Sequence, residues 1–150
     1  MNQHSHSSIS QIEGKFVVIQ RNPTAGAGTN RRILLDLVKE LRKQAFRVRM
    51  FSDRDQLDEF VTRDRISSRI RCLVAAGGDG TVADLANRHP KHPIAVLPMG
   101  TENLIARHLN MPRDGSVVAD TIRQGHVQPF DTAQAGNRQY LLMASAGIDA

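Results

Sequence analysis

The sequence predicts an α/β fold: a doubly wound, mostly parallel sheet with helices on both faces, in three layers. Short β-branched runs alternate with amphipathic helical patterns along most of the chain, and a parallel connection needs a crossover, which is usually a helix. The loops after three of the strand-like runs contain glycine, and a hydrophobic content of 40% over 150 residues supplies one core.

Residues 1–14 are rich in Ser, His and Gln and hold no apolar run of signal-peptide length. They are expected to form a flexible tail, leaving 15–150 as one domain. The run Phe16-Val17-Val18-Ile19 reads as the first strand and stops at Asn22-Pro23. Over 30–45, Ile33, Leu34, Leu37, Val38 and Leu41 recur at three and four, with arginines and lysines elsewhere around the turn, which predicts an amphipathic helix. Phe46, Val48 and Met50 then alternate with Arg47 and Arg49, the pattern of a strand near a sheet edge. Leu57, Phe60 and Val61 mark a weaker helix. Residues 70–76 read as a third strand, 81–88 as a helix, and 94–97 as a fourth strand ended by Pro98. Helices are expected over about 102–109 and 116–124. Residues 129–135 and 138–146 flank Gly136-Asn137, a two-residue signal that closes an antiparallel hairpin. The sequence stops at Ala150 directly after a strand-like run, as a cut chain would.

Composition narrows the function. A net charge of +5 favours anionic partners such as nucleotides or lipid headgroups. Nucleic acid is ranked low, because aromatic content is 4% with no Trp and neither a zinc-finger nor an RNP-like motif occurs. No segment approaches the roughly 20 apolar residues of a membrane span, so a cytoplasmic protein with at most peripheral bilayer contact is expected. Cys72 is the only cysteine, which rules out an internal disulfide, and its apolar neighbours mark it as a buried strand residue. The histidines have no cysteine or carboxylate partners at metal-ligand spacing, so no zinc site is expected.

In an open parallel sheet, ligands bind beyond the carboxyl ends of the strands, where helix N-termini present free N–H groups. Three loops hold that position: Asn22-Pro23-Thr24-Ala25-Gly26, Gly77-Gly78-Asp79-Gly80-Thr81, and Pro98-Met99-Gly100-Thr101-Glu102-Asn103. Glycines let backbone approach a phosphate closely, and Thr81 and Thr101 place hydroxyls near helix starts. A carboxylate such as Asp79 among phosphate-binding loops makes chemical sense with a cation, a hydroxyl to activate, or both; Mg²⁺ is the natural cation. The P-loop signature is missing, and Gly26-Ala27-Gly28 lacks the third glycine of a dinucleotide fingerprint.

Taken in order, these loops resemble the catalytic domain of the diacylglycerol kinase family, whose bacterial lipid kinases and sphingosine kinases share Asn-Pro-x-x-Gly, Gly-Gly-Asp-Gly-Thr and Pro-x-Gly-Thr-x-Asn loops. Gly-Gly-Asp-Gly-Thr alone is shared with NAD kinases, and Asn22-Pro23 with Leu97-Pro98-Met99-Gly100-Thr101 makes the match specific. Met111-Pro112-Arg113-Asp114, Phe130-Asp131 and Ala146-Gly147-Ile148-Asp149-Ala150 extend it. The resemblance implies an ATP site lined by Asn22, Pro23, Thr24, Ala25 and Gly26, by Gly77, Gly78, Gly80, Thr81, Val82, Ala83 and Asp84, and by Gly100, Thr101 and Asn103. Ser52, after the second strand, stands where the family often has a nucleotide-contacting Thr. The chain departs from the pattern at Leu104, where Asp usually follows the Asn, and at Val82-Ala83-Asp84, where Leu-Asn-Glu is common.

The implied reaction is Mg²⁺-assisted transfer of the ATP γ-phosphoryl group to a lipid with a free hydroxyl, with Asp79 orienting the metal or accepting the hydroxyl proton. The alternatives are an NAD kinase-like phosphotransferase and a nucleotide-binding fragment that transfers nothing. The family usually adds a β-rich second domain that helps form the lipid cleft, and no counterpart is present in the sequence. Self-association through surface left open by its absence is therefore expected. Arg31 and Arg32, in the first turn of their helix, are placed to reach phosphates, although a solvated face is the ordinary role of such arginines. Arg107 and Arg113 carry the same two readings, or meet anionic headgroups.

Overall fold

The computed structural model of the chain describes residues 14–23 and 28–142. Four strands, β1 (Phe16–Arg21), β2 (Arg47–Phe51), β3 (Ile70–Gly77) and β4 (Ile94–Pro98), form one parallel sheet in the order β2-β1-β3-β4. Helices α1 (Thr29–Lys43), α2 (Arg54–Thr62), α3 (Asp64–Ser67), α4 (Asp79–Arg88), α5 (Leu104–His108) and α6 (Gly115–Gln124) connect or follow them. A separate antiparallel pair, β5 (Ala133–Ala135) with β6 (Arg138–Tyr140), turns at Gly136, whose φ of 58° suits the hairpin turn.

Alternation within the strands explains the three layers. Val17, Ile19, Cys72, Val74 and Ala76 pack with Leu34, Leu37, Leu41, Val118 and Ile122 of α1 and α6. The intervening Phe16, Val18, Leu73 and Ala75 pack on the other face with Leu57, Val61, Leu85 and Ile105 of α2, α4 and α5. A sheet buried on both faces needs apolar residues at consecutive positions, which is why β1 carries the apolar run Phe16-Val17-Val18-Ile19 and β3 the run Cys72-Leu73-Val74-Ala75-Ala76. Deep burial pushes the Cys72 thiol up to about 12, so it stays protonated. β2 lies at the sheet edge, as its arginines predict; Val48 is buried while Met50 is exposed.

The chain leaves β1 toward β2 on one side and returns to β3 on the other. The direction of winding therefore reverses between β1 and β3, and the helices that follow them, α1 and α4, pack on opposite faces of the sheet, the arrangement at which open α/β sheets bind ligands. α6 is anchored opposite α1. Asp114 accepts hydrogen bonds from the Ser116 and Val117 N–H groups and from the Ser116 hydroxyl, and these hold its carboxyl below the ordinary carboxylate value. At its other end, the Arg71 guanidinium donates to the carbonyls of Ile122 and Arg123.

Candidate functional site

The loops that follow β3 and β4 are joined to each other by backbone, and the first loop is tied to β3. Asn22 N–H donates to the Ala76 carbonyl at 3.1 Å, and Met99 N–H to the Gly77 carbonyl at 2.9 Å. Gly100 lies so close to Gly78 that a Cβ on Gly100 would stand 2.6 Å from Gly78 Cα. Asn103 holds that approach. Buried and in the left-handed region at φ 52°, it donates from Nδ2 to the Gly100 carbonyl at 2.6 Å and accepts the Gly100 N–H on Oδ1 at 2.9 Å. This turn also delays the next helix: α5 begins at Leu104 rather than near 102, because Asn103 is committed to Gly100.

Asp79 spans the same junction. Its Oδ2 accepts the Leu104 N–H and its Oδ1 the Ile105 N–H, both at 2.9 Å, so it ties the second loop to the start of α5.

A cleft of about 1340 Å³ opens over these crests, large enough for a nucleotide-sized ligand. Its wall on the α2/α4 side is a charge-balanced network. Asp84 accepts from Gln20 Nε2 at 3.0 Å, from Arg88 at 2.8 Å and from Arg54; Arg88 also donates to Gln20 and Asp58. His89, buried behind it, meets the same Asp58 oxygen at 2.6 Å. Burial pulls the Asp84 carboxyl upward, but the hydrogen bonds from Arg88 and Gln20 and the charges of Arg88 and Arg54 outweigh it and hold the group below 3.8. Folding therefore lowers this pKa. Its stabilisation is complete above the unfolded value and is lost as pH falls through the folded one. Asp84→Asn should be less stable than the parent at neutral pH, and the gap should close as pH falls below about 4. Urea midpoints across that range check this, and a gap independent of pH would contradict it.

On the α1/α6 side the cleft is lined by Asn30, Met99 and Arg113. Asn30 is buried, donates to the Met99 carbonyl at 3.2 Å, and accepts a hydrogen bond from Arg113.

The cleft gathers most of the residues singled out in the sequence: Asn22, Pro23, Ser52, Gly78, Gly80, Thr81, Ala83, Asp84, Gly100 and Thr101 all line it. Thr24, Ala25 and Gly26 lie outside the described residues. Four others are not among its lining residues. Val82 belongs to the core, because helical periodicity puts it with Leu85 on the sheet-facing side of α4 while Thr81, itself buried, and Asp84 line the cleft. Gly77 is the buried last residue of β3. Asn103 shapes the turn at Gly100, and Asp79 ties the loops together from the rim of the cleft, half-buried between Gly78 and Gly80, which line it. Arg31 and Arg32 are exposed and away from it. Sequence reasoning missed Gln20, Arg21, Asn30, Arg54, Asn87, Arg88, Asn137 and Arg138 as lining residues. Only Asn87 and Arg88 carried a signal, since they stand three and four residues after Asp84 on one helix.

A parallel sheet whose glycine crests meet over one polar cleft at its switch point defines an α/β domain built to take a ligand there. The chain belongs to the diacylglycerol kinase catalytic domain family, which it matches over residues 15–135. It is 31% identical over 131 residues to a diacylglycerol kinase of Staphylococcus carnosus, covering 84% of this chain and 43% of that protein. It is 32% identical over 131 residues to one of Staphylococcus epidermidis, with 84% of this chain and 42% of that protein covered. Its fold is similar to a crystal structure of a diacylglycerol kinase from Bacillus anthracis, with a TM-score of 0.66, 24% identity, and 88% of this chain and 47% of that one covered. The chain thus spans less than half the length of these relatives. Among the described residues, no helix is long and apolar enough to cross a membrane.

Proposed function

We propose that residues 15–150 act as the nucleotide-binding half of an ATP-dependent lipid kinase, transferring the γ-phosphoryl group to a diacylglycerol-type hydroxyl. The observation that carries this reading is the contact of the Gly78 and Gly100 loops at the crest of the sheet, over a cleft at its switch point. Phosphoryl transfer asks a protein mainly for positioning and for neutralisation of charge on the transferring group, and glycine backbone and helix N–H groups supply both.

Among the described residues, no group of three histidine, cysteine or carboxylate side chains is arranged to hold a metal. Mg²⁺ carried in by the nucleotide would keep water and phosphate ligands and need one or two protein carboxylates. Asp84 is occupied by Gln20 and two arginines. Asp79 is the better candidate, through the lone pairs that its two bonds to α5 leave. When bound, the ion would offset phosphate charge. Asp79 either orients it or accepts the acceptor's hydroxyl proton. Peripheral contact with a bilayer, a cytoplasmic location and self-association through an open sheet edge belong to the same proposal.

Transfer from γ-labelled ATP, offered diacylglycerol in mixed micelles beside NAD, tests the reading. Label on the lipid is expected, with Asp79→Asn reducing it at least tenfold through loss of a charge-assisted contact. Label on NAD would favour the NAD kinase-like alternative, and ATP binding without transfer to either acceptor would mark a nucleotide-binding fragment.

A further inference from the structure

The cleft is electrostatically lopsided. On the α2/α4 side, the guanidinium groups of Arg54 and Arg88 are matched by the carboxylates of Asp84 and Asp58, two charges against two, and each is already engaged. Such paired arginines have little to offer an incoming anion without breaking their own contacts. Across the crest, Arg113 makes, among the described residues, one hydrogen bond, to the neutral Asn30, and no ion pair. Its charge is not matched by a carboxylate of the described residues, and it lines the cleft with Gly100 and Thr101.

Arg113 is also braced. Asn30 is 7% exposed and is itself held by the Met99 carbonyl, one residue before Gly100. The guanidinium is therefore positioned against the backbone of the third loop before any ligand arrives, which lowers the ordering cost of binding. Arg21 and Arg138 also line the cleft, and among the described residues they have no carboxylate partner and no buried group that fixes them.

Resting on the nucleotide reading above, we infer that Arg113, held by Asn30, is the specific side chain that takes the polyphosphate of the nucleotide. The planar fork of arginine suits two phosphate oxygens at once, and one of its N–H groups is spent on Asn30 while the others remain. The phosphates lie on the α1/α6 side of the crest, and the balanced α2/α4 side is left to the uncharged part of the ligand.

Calorimetric titration of the parent chain and of Arg113→Gln with ATP, AMP and inorganic triphosphate, each with Mg²⁺, tests this. Arg113 is exposed and makes a single hydrogen bond among the described residues, so the variant should melt with the parent. The expected result is a loss of about tenfold or more for ATP and triphosphate, as one charge-assisted bidentate contact requires, with a smaller loss for AMP. Asn30→Asp, which would pair Arg113 internally, should weaken the same two ligands. Equal affinity of parent and Arg113→Gln for ATP would overturn the inference while leaving the nucleotide site standing. Failure of the parent itself to bind ATP would overturn the nucleotide reading, and this inference with it.

Discussion

Gly100→Ala should remove ATP binding while leaving the four-stranded sheet folded. The added Cβ would stand 2.6 Å from Gly78 Cα, 3.1 Å from Gly78 N and 3.1 Å from Asn103 Oδ1. None of these neighbours can move cheaply. Gly78 is backbone at the start of α4, and Asn103 is buried and bonded to both polar groups of Gly100. Overpacking of this kind costs about 1–3 kcal/mol, and here relief must come from parting the two loops, since β3 and β4 beneath them are held by their ladder. The stability loss is therefore modest and the binding loss large. Titration with MgATP beside a thermal melt reads both, and a variant that binds as the parent does would show that the loops need not touch.

The second large effect is on stability and lies away from the cleft. Gly115 opens α6 where it crosses α1, and a Cβ there would meet the Ile33 carbonyl oxygen at 2.3 Å and Leu37 N at 2.5 Å. Both are backbone atoms inside a fifteen-residue helix, so α6 would have to lift from α1. The core between them, with Leu37 and Val118 fully buried, would open with it. Gly115→Ala should therefore cost about 3 kcal/mol, the upper part of the overpacking range. Gly80→Ala is the control, since nothing lies within 4 Å of a Cβ at that position. Equal urea midpoints for Gly115→Ala and the parent would contradict the packing described here.

Much of the fold was legible because both faces of the sheet are buried. The central stretches of β1 and β3 are then apolar at consecutive positions, and such runs are conspicuous in a sequence. α1 was legible from its spacing, and the hairpin from Gly136-Asn137, although its strands are confined to Ala133–Ala135 and Arg138–Tyr140 and residues beyond 142 lie outside the described part. α3 was not foreseen, since Asp64–Ser67 is too short to show a period and buries nothing. The late start of α5 depends on Asn103 turning back to Gly100, a contact that propensity does not encode.

The site divides in the same way. Its glycine loops were readable because close backbone approach demands particular residue types, and Gly78 and Gly100 do meet. Val82 was assigned to the ligand by its place in a motif, while the period of α4 assigns it to the core. The polar walls were invisible for a different reason. Gln20 finds Asp84 across 64 residues and Arg113 finds Asn30 across 83, pairings that only the assembled sheet creates. Asp79 stood out for its charge, but nothing in the sequence told that its carboxylate would tie down Leu104 and Ile105.

The measurement that bears most directly on the account is calorimetric titration of this chain with ATP, in the presence and absence of Mg²⁺. Saturable binding at one site is expected, strengthened by Mg²⁺ and lost in Gly100→Ala. An absence of binding at millimolar ATP, in a chain that melts cooperatively, would contradict it.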